Sequence, residues 1–135
     1  MAMQFDLVPA GTRAEANGEG APVDVSGSAS RTFLCTLRIA DVIEQESLDL
    51  SIWGSADGQN WGLKPIHKFP QRFYRGETRQ VLDLTLKPEI RFIRAKWELN
   101  RWGRVAPAPM FVLGVHAAEI AAMPKPAGAE KVAAG

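Results

Sequence analysis

An alternating apolar stretch that ends in a turn signal, between Leu48 and Trp61, constrains the fold more than any other part of the chain. Apolar side chains occupy every second position as far as Ile52, which is the period of a strand buried on one face. The dipeptide Asp57-Gly58 then predicts a tight turn, because glycine adopts positive φ and aspartate bonds its own backbone. Trp61 is expected to fold back over this turn. The polar face of the strand holds Asp49, Ser51 and Trp53.

Strand-like alternation recurs along the chain, and no segment shows the period of a helix. Pro65 and Pro70 argue against a central strand in the segment that follows Trp61. Ile66 and Phe69 are expected to anchor that segment to the core. Short strands separated by turn signals predict an all-β fold, an antiparallel β-sandwich of jelly-roll type. Besides the strand that begins at Leu48, the predicted strands cover residues 3–8, 23–25, 32–39, 79–86, 91–99 and 110–117.

One face of each predicted strand supplies the core. Leu86 is expected to face inward beside Leu84. The ring of Trp97 is expected to fill the interior, so that Trp97→Ala would cost about 3–5 kcal/mol. The predicted core consists of Phe33, Leu37, Leu48, Leu50, Ile52, Leu82, Leu84, Ile93, Trp97, Phe111, Leu113 and Val115.

Length and composition predict one folded domain with two extensions. A chain of 135 residues is typical of a single domain. Residues 1–26 are interpreted as a strand and an extended N-terminal arm, because residues 9–22 are rich in Gly, Ala and Glu. Residues 27–120 form the predicted sandwich. Residues 121–135 have the composition of a flexible C-terminal tail, so any order in the extensions must come from contacts.

Charge is divided unevenly along the sequence. Residues 1–63 carry nine acidic and three basic side chains, a net charge of −6, whereas residues 64–104 carry eleven basic and four acidic ones, a net charge of +7. Such a division can join two sheets or two subunits, or it can leave two solvated faces of opposite sign. The whole chain has a net charge of only +1, which does not indicate nucleic-acid binding.

The sequence contains no recognisable catalytic or metal-binding constellation. His67 and His116 are far apart, and Cys35 lies on an apolar strand face, where a small hydrophobic role is expected. Asp49 and Asp57 are the one carboxylate pair to consider, but capping of the turn explains Asp57 better. We therefore expect no enzyme activity, no cofactor and no metal ion.

A basic and aromatic segment near residue 100 is the main candidate interface. Trp102 lies in a Gly- and Pro-containing loop between Arg101 and Arg104, and Trp with Arg is typical of interface anchors. We rank subunit contact first, a glycan platform second and nucleic acid third. The candidate site residues are Arg101, Trp102, Arg104, Arg94, Lys96, Asp57 and Trp61.

Neither a membrane nor an export route is predicted. No apolar run approaches the roughly 18 residues of a membrane span, and the N-terminus lacks the basic-then-apolar pattern of a signal peptide. We expect the chain to be made in the cytoplasm, and this leaves later release by another route open.

Residues 48–61 together with 90–97 resemble the middle of a discoidin-type domain. The shared pattern is a strand that leads into Ser-x-Asp-Gly-x-x-Trp, here Ser55 to Trp61, followed later by Arg-aromatic-Ile-Arg, here Arg91 to Arg94. The early Trp-aspartate strand and the closing Glu-Leu signature of that family are not evident, so its loop aromatics are not carried over. The resemblance implies a carbohydrate- or surface-binding module.

A second shared pattern runs through five segments, Gly27 to Leu34, Leu48 to Trp61, Phe69, Arg91 to Ala95 and Pro109 to Val115. Through them, about residues 27–117 resemble small β-sandwich structural proteins of tailed bacteriophages. The resemblance implies a non-enzymatic virion component, such as a capsid-decoration, capsid-auxiliary or tail-associated protein, made in the host cytoplasm. Its partners would be further copies of itself or a capsid or tail protein, with surface glycans as the alternative and no nucleic acid.

Overall fold

A computed structural model describes residues 2–42, 46–101 and 110–122, without the side chains of Glu46 and Arg101. The predicted all-β sandwich is confirmed, because two antiparallel sheets pack face to face around one apolar core. The described residues form nine strands: β1 (Gln4–Ala14), β2 (Gly18–Glu19), β3 (Val23–Asp24), β4 (Thr32–Val42), β5 (Glu46–Ser55), β6 (His67–Lys68), β7 (Gly76–Asp83), β8 (Phe92–Arg101) and β9 (Phe111–Glu119).

Strands that are distant in sequence lie side by side in both sheets. Sheet A has the strand order β1-β9-β4-β7, and sheet B has the order β2-β8-β5-β6, with β3 also paired to β8. Strand β9, the last one in the described residues, therefore lies inside sheet A, between β1 and β4. The longest pairing in sheet B joins β5 to β8, from Glu46 opposite Arg101 to Ser55 opposite Phe92.

Alternation predicts the core well. Eleven of the twelve predicted core residues are buried, because one face of each long strand points between the sheets. Ile66 and Phe69 also pack as expected, Phe69 within the core and Ile66 against it. Cys35 is buried on β4, and burial raises the pKa of its thiol to about 12, which fits the expected apolar role. The twelfth residue, Trp97, and Leu86 differ from the prediction.

The inward orientation predicted for Leu86 is wrong. Its side chain is 87% exposed, whereas Leu84 is fully buried. Strand β7 ends at Asp83, whose Oδ1 accepts hydrogen bonds from the backbone N and the hydroxyl of Thr85. A carboxylate that bonds the backbone two residues later forms a turn, so the strand period stops before Leu86.

The ring of Trp97 lies at the margin of the core instead of filling it. Trp97 belongs to the inward face of β8 but is only partly buried. Its Nε1 donates to the backbone oxygen of Ala16 at 3.1 Å, and a Cβ at Gly18 would lie 2.8 Å from the ring. The indole is thus a platform for the chain that connects β1 to β2, which explains why this connection needs a glycine.

The prediction of a separate arm at residues 9–22 is wrong, because this stretch is built into both sheets. Strand β1 continues to Ala14 along β9, and three of its residues, 9–11, bulge outward opposite Gly114. The chain then crosses to sheet B, where the backbone N of Gly20 donates to the oxygen of Ala95 at 2.8 Å. Backbone hydrogen bonds, which need no large side chains, hold this segment in place.

A single carboxylate ties the start of β1 to the connection that precedes β4. Glu119 accepts hydrogen bonds from the backbone N of Ser30 and of Met3, each at 2.9 Å, and from the hydroxyl of Ser28 at 2.7 Å. Donors that favour the charged form lower the pKa of Glu119 to about 2, with the Ser30 amide as the largest cause.

Candidate binding surfaces on the two sheets

The turn after β5 uses Asp57 as its cap, as the sequence predicts. The carboxylate Oδ1 accepts hydrogen bonds from the backbone N of Asn60 at 2.8 Å, the backbone N of Gln59 at 2.9 Å and the hydroxyl of Ser55 at 2.9 Å. These donors lower the pKa of Asp57 to about 2, with the Asn60 amide as the largest cause. Gly58 has φ +80°, a conformation that favours glycine. The carboxylate is therefore engaged within the turn.

Trp61 contacts a cation on sheet B instead of closing over the turn. The guanidinium of Arg94 lies 5.0 Å from the centroid of the Trp61 ring, whereas the ring that faces Gly58 is Phe92. Arg94 also donates to the backbone oxygen of Gly20 at 3.1 Å, and its side chain is only 17% exposed. Arg94 and Trp61 thus hold the N-terminal segment and the β5–β6 connection against the sheet.

Lys96 forms a second cation–π contact on the same face of sheet B. Its Nζ lies 4.2 Å from the centroid of the Trp53 ring and 3.9 Å from a carboxylate oxygen of Glu19. The Nε1 of Trp53 donates to the hydroxyl of Ser51 at 2.9 Å, which fixes the ring along β5. Trp53 was not predicted as a site residue. Its position on the polar face of the predicted strand already indicated that this large ring would lie on the outer surface.

Trp53, Ser51 and Lys96 border a cleft on the outer face of sheet B, with a volume of about 250 Å³. We name it the sheet-B cleft. Asp49 lies directly opposite Glu98 across β5 and β8, so Asp49 is paired with this carboxylate and not with Asp57. The cleft is lined by Asp49, Ser51, Trp53, Pro65, Lys68, Lys96 and Glu98.

The outer face of sheet A carries a larger groove of about 570 Å³, which we name the sheet-A groove. One wall is the β1 bulge, where Ala10 packs against Gly114. A Cβ added to Gly114 would lie only 2.8 Å from the Cα of Ala10. Charged side chains line the groove in pairs. Asp6 contacts His116 at 2.9 Å, and Arg38 pairs with Glu77. Sequence analysis missed this groove because strands β1 and β9 lie at opposite ends of the described chain.

Three predicted interface residues, Arg101, Trp102 and Arg104, come at the end of β8 and directly after it in the sequence. The backbone of Arg101 pairs with Glu46 at the end of β8. The side chain of Arg101 and the whole of Trp102 and Arg104 lie outside the described residues. The role of this loop as an interface stays a prediction.

Part of the charge division along the sequence is satisfied within the chain. Glu19, from the acidic half, lies 3.4 Å from Arg94 and 3.9 Å from Lys96, which belong to the basic half. These contacts join the two halves across sheet B. The prediction that the remaining charges attract one subunit to another stays a prediction.

The two histidines occupy different sheets, with His67 on β6 of sheet B and His116 on β9 of sheet A. Within the described ranges, no three His, Cys, Asp or Glu side chains converge in the way a metal ion requires. Those ranges also contain no helix with the length and apolarity needed to cross a membrane. The chain matches no protein-family model, and no curated protein matches its sequence.

Proposed function

We propose that this chain is a non-enzymatic structural protein that acts through protein–protein contacts. The specific form of the proposal is a virion component, either a capsid-decoration or auxiliary protein or a tail-associated protein. The partners would be further copies of the chain or a capsid or tail protein. The resemblance of residues 27–117 to structural proteins of tailed bacteriophages supports the virion assignment.

The observation that carries the assembly proposal is a pair of exposed leucines at one end of the sandwich. Leu63 is 98% exposed on the β5–β6 connection, and Leu86 is 87% exposed on the β7–β8 connection. The two connections meet over Gly54, where a Cβ would lie 2.8 Å from Ile90 and 3.1 Å from Ile66. Large apolar groups exposed at the same end of a sandwich lower the free energy of association when a partner covers them.

The opposite end of the sandwich also presents a large side chain. Tyr74, between β6 and β7, is 77% exposed. Tyrosine is enriched at protein interfaces because it combines apolar area with a hydroxyl group. Apolar surface at both ends supports contacts between an end of one copy and an end of a neighbour.

The topology supports the finer proposal that the sandwich is a jelly roll. Strand β9 lies between β1 and β4, while β8 lies between β5 and the short strands β2 and β3. If β2 and β3 are counted as one interrupted strand, the described residues give eight strands. The first, third, sixth and eighth lie in sheet A and the others in sheet B, an order that two Greek keys would produce. Jelly rolls occur in viral capsid proteins, which is consistent with the virion proposal on fold analogy alone.

The mass of the purified protein in solution tests the assembly proposal. Sedimentation equilibrium should show association that persists at high salt, because apolar contacts are not screened. The double variant Leu63→Ser/Leu86→Ser should associate less, whereas the matched control Lys64→Ser/Lys87→Ser, on the same connections, should behave as the wild type. Co-sedimentation with the particle encoded in the same genome tests the virion assignment. A strict monomer at every concentration that binds no particle would contradict the proposal.

A second candidate function is a carbohydrate- or surface-binding module. The observation that favours it is the sheet-B cleft, in which Trp53 is surrounded by polar side chains. Aromatic faces with a few convergent polar groups are typical of small-molecule sites. A glycan array probed with the wild-type protein tests this candidate, and flat binding across all glycans would count against it.

A further inference from the structure

The sheet-B cleft separates its charged groups into two rows. Lys68 and Lys96 both lie opposite Ser51, on either side of β5. Asp49 and Glu98 lie opposite each other two residues further along these strands, on the same outer face. Their row is roughly 6.6 Å from that of Ser51. One row supplies hydrogen-bond donors and the other supplies acceptors, and the four formal charges cancel.

The carboxylate row has a feature that cross-strand stability does not explain. Like charges directly opposite each other on neighbouring strands are destabilising. Asp49 Oδ2 accepts hydrogen bonds from Gln71 at 3.1 Å and Asn100 at 3.4 Å, but among the described residues Glu98 makes no hydrogen bond or ion pair. The two carboxylates together offer acceptors to a ligand that can donate to both.

The Trp53 ring adds a flat apolar surface beside these rows. Its orientation is set by the hydrogen bond from Nε1 to Ser51, so little rotamer freedom is lost when a ligand packs on it. Lys96 covers the ring with its ammonium, but its side chain is 33% exposed and can move aside. A ligand that stacks on the ring would release the Lys96 ammonium to donate to that ligand.

We propose that the sheet-B cleft binds one ring of a neutral saccharide, an inference that rests on the second candidate function. The apolar C–H face of the sugar stacks on Trp53, while its hydroxyl groups donate to Asp49 and Glu98 and accept from Lys68 and Lys96. Saccharides combine donors, acceptors and an apolar face without net charge, which is the combination that the cleft presents. Its volume of about 250 Å³ lies just below the roughly 300–1,000 Å³ of drug-sized sites, as suits a single sugar ring.

The same features disfavour other ligand classes. A phosphate or nucleic-acid strand requires excess positive charge, and the cleft has two carboxylates for its two ammonium groups. The described lining of the sheet-A groove includes no Trp, Tyr or Phe, and its one imidazole, His116, is paired with Asp6, as Arg38 is with Glu77. It therefore lacks the stacking surface that a saccharide site uses.

The test is a glycan array with neutral and acidic glycans, followed by calorimetric titration of lactose, maltose, cellobiose and chitobiose into the full chain. We expect saturable binding of at least one neutral glycan. Trp53→Ala should weaken it more than tenfold, and the shape-conserving Glu98→Gln should weaken it about three- to tenfold, because an amide is a poorer acceptor than a carboxylate. Glu89→Gln, a matched change outside the cleft, should alter binding less than twofold.

The outcomes distinguish failure of the sheet-B cleft as the binding site from failure of carbohydrate binding as the function. Circular dichroism and thermal melting confirm that each variant is folded, and Trp53 is on the outer face, where truncation spares the core. Wild-type affinity in both Trp53→Ala and Glu98→Gln would overturn the site but leave carbohydrate binding standing. Loss of binding in Trp102→Ala alone would assign it to the loop after β8. Binding of acidic glycans only would overturn the neutral class, and no binding at all would overturn both the site and the second candidate function.

Discussion

Substitution of Gly20 by alanine should destabilise the fold, because the chain between β2 and β3 passes close to the backbone of β1 at this residue. A Cβ on Gly20 would lie 2.3 Å from the backbone oxygen of Leu7, whereas real Cβ atoms essentially never come closer than 3.0 Å to such an atom. The obstacle is backbone and not the end of a flexible side chain, so the two segments must move apart. Overpacking of this kind costs about 1–3 kcal/mol.

The displacement also strains two hydrogen bonds that Gly20 makes to β8. Its N donates to the oxygen of Ala95 at 2.8 Å, and its oxygen accepts from Arg94 at 3.1 Å. Each bond contributes about 1 kcal/mol when intact. We therefore expect Gly20→Ala to lower the free energy of unfolding by about 2–4 kcal/mol, from the clash and partial loss of these bonds.

Gly27→Ala is the matched control for this measurement. A Cβ at Gly27 meets no heavy atom within 4 Å, and its φ is not positive. The change should leave stability unaltered or raise it by about 0.4–1 kcal/mol, through the reduced freedom of the unfolded chain. Urea unfolding followed by tryptophan fluorescence gives both values. Equal midpoints for the two variants would refute the close packing of residues 9–22 within the sandwich.

Three further predictions concern the core, its margin and one carboxylate. Leu84→Ala should cost about 2–5 kcal/mol and Leu86→Ala less than about 0.5 kcal/mol, and similar urea midpoints would contradict the end of β7 at Asp83. Trp97→Ala should cost about 1–3 kcal/mol, below the value for a buried tryptophan, because the ring is only partly buried. The pKa of Glu119 falls from 4.5 to about 2 on folding, so its contribution is complete above pH 4.5 and is lost as the pH falls towards 2. The stability difference between the wild type and Glu119→Gln should therefore shrink across that window in urea titrations, and a constant difference would contradict the assignment.

The sequence predicts those parts of the fold that depend on local alternation. The run from Leu48 to Ile52 identifies both the buried face of β5 and the outward position of Trp53. The Asp57 turn is equally local, because its donors lie within three residues of the carboxylate. Period and turn chemistry are properties of neighbouring residues, so one sequence is enough to identify them.

Features that depend on distant pairing were missed for a physical reason. Residues 9–14 extend β1 because β9 offers backbone partners roughly a hundred residues later, and no side-chain pattern announces this. The sheet-B cleft likewise needs the register that places Glu98 opposite Asp49. Trp97 keeps its predicted face, but only the crossing segment at Gly18 decides how deeply it is buried. Such facts follow from topology, which alternation does not encode.

The central place of β9 in sheet A has a consequence for folding kinetics. Strands β1 and β4 both need β9 as a neighbour, so each exposes an unpaired edge until residues up to Glu119 have been synthesised. Sheet A therefore completes only after most of the chain has left the ribosome, and its closure joins segments of very high sequence separation. Such topologies fold slowly, on the order of milliseconds to seconds, and open strand edges favour aggregation in the interval. A truncation before β9 should accordingly yield an aggregating chain and not a smaller stable sandwich.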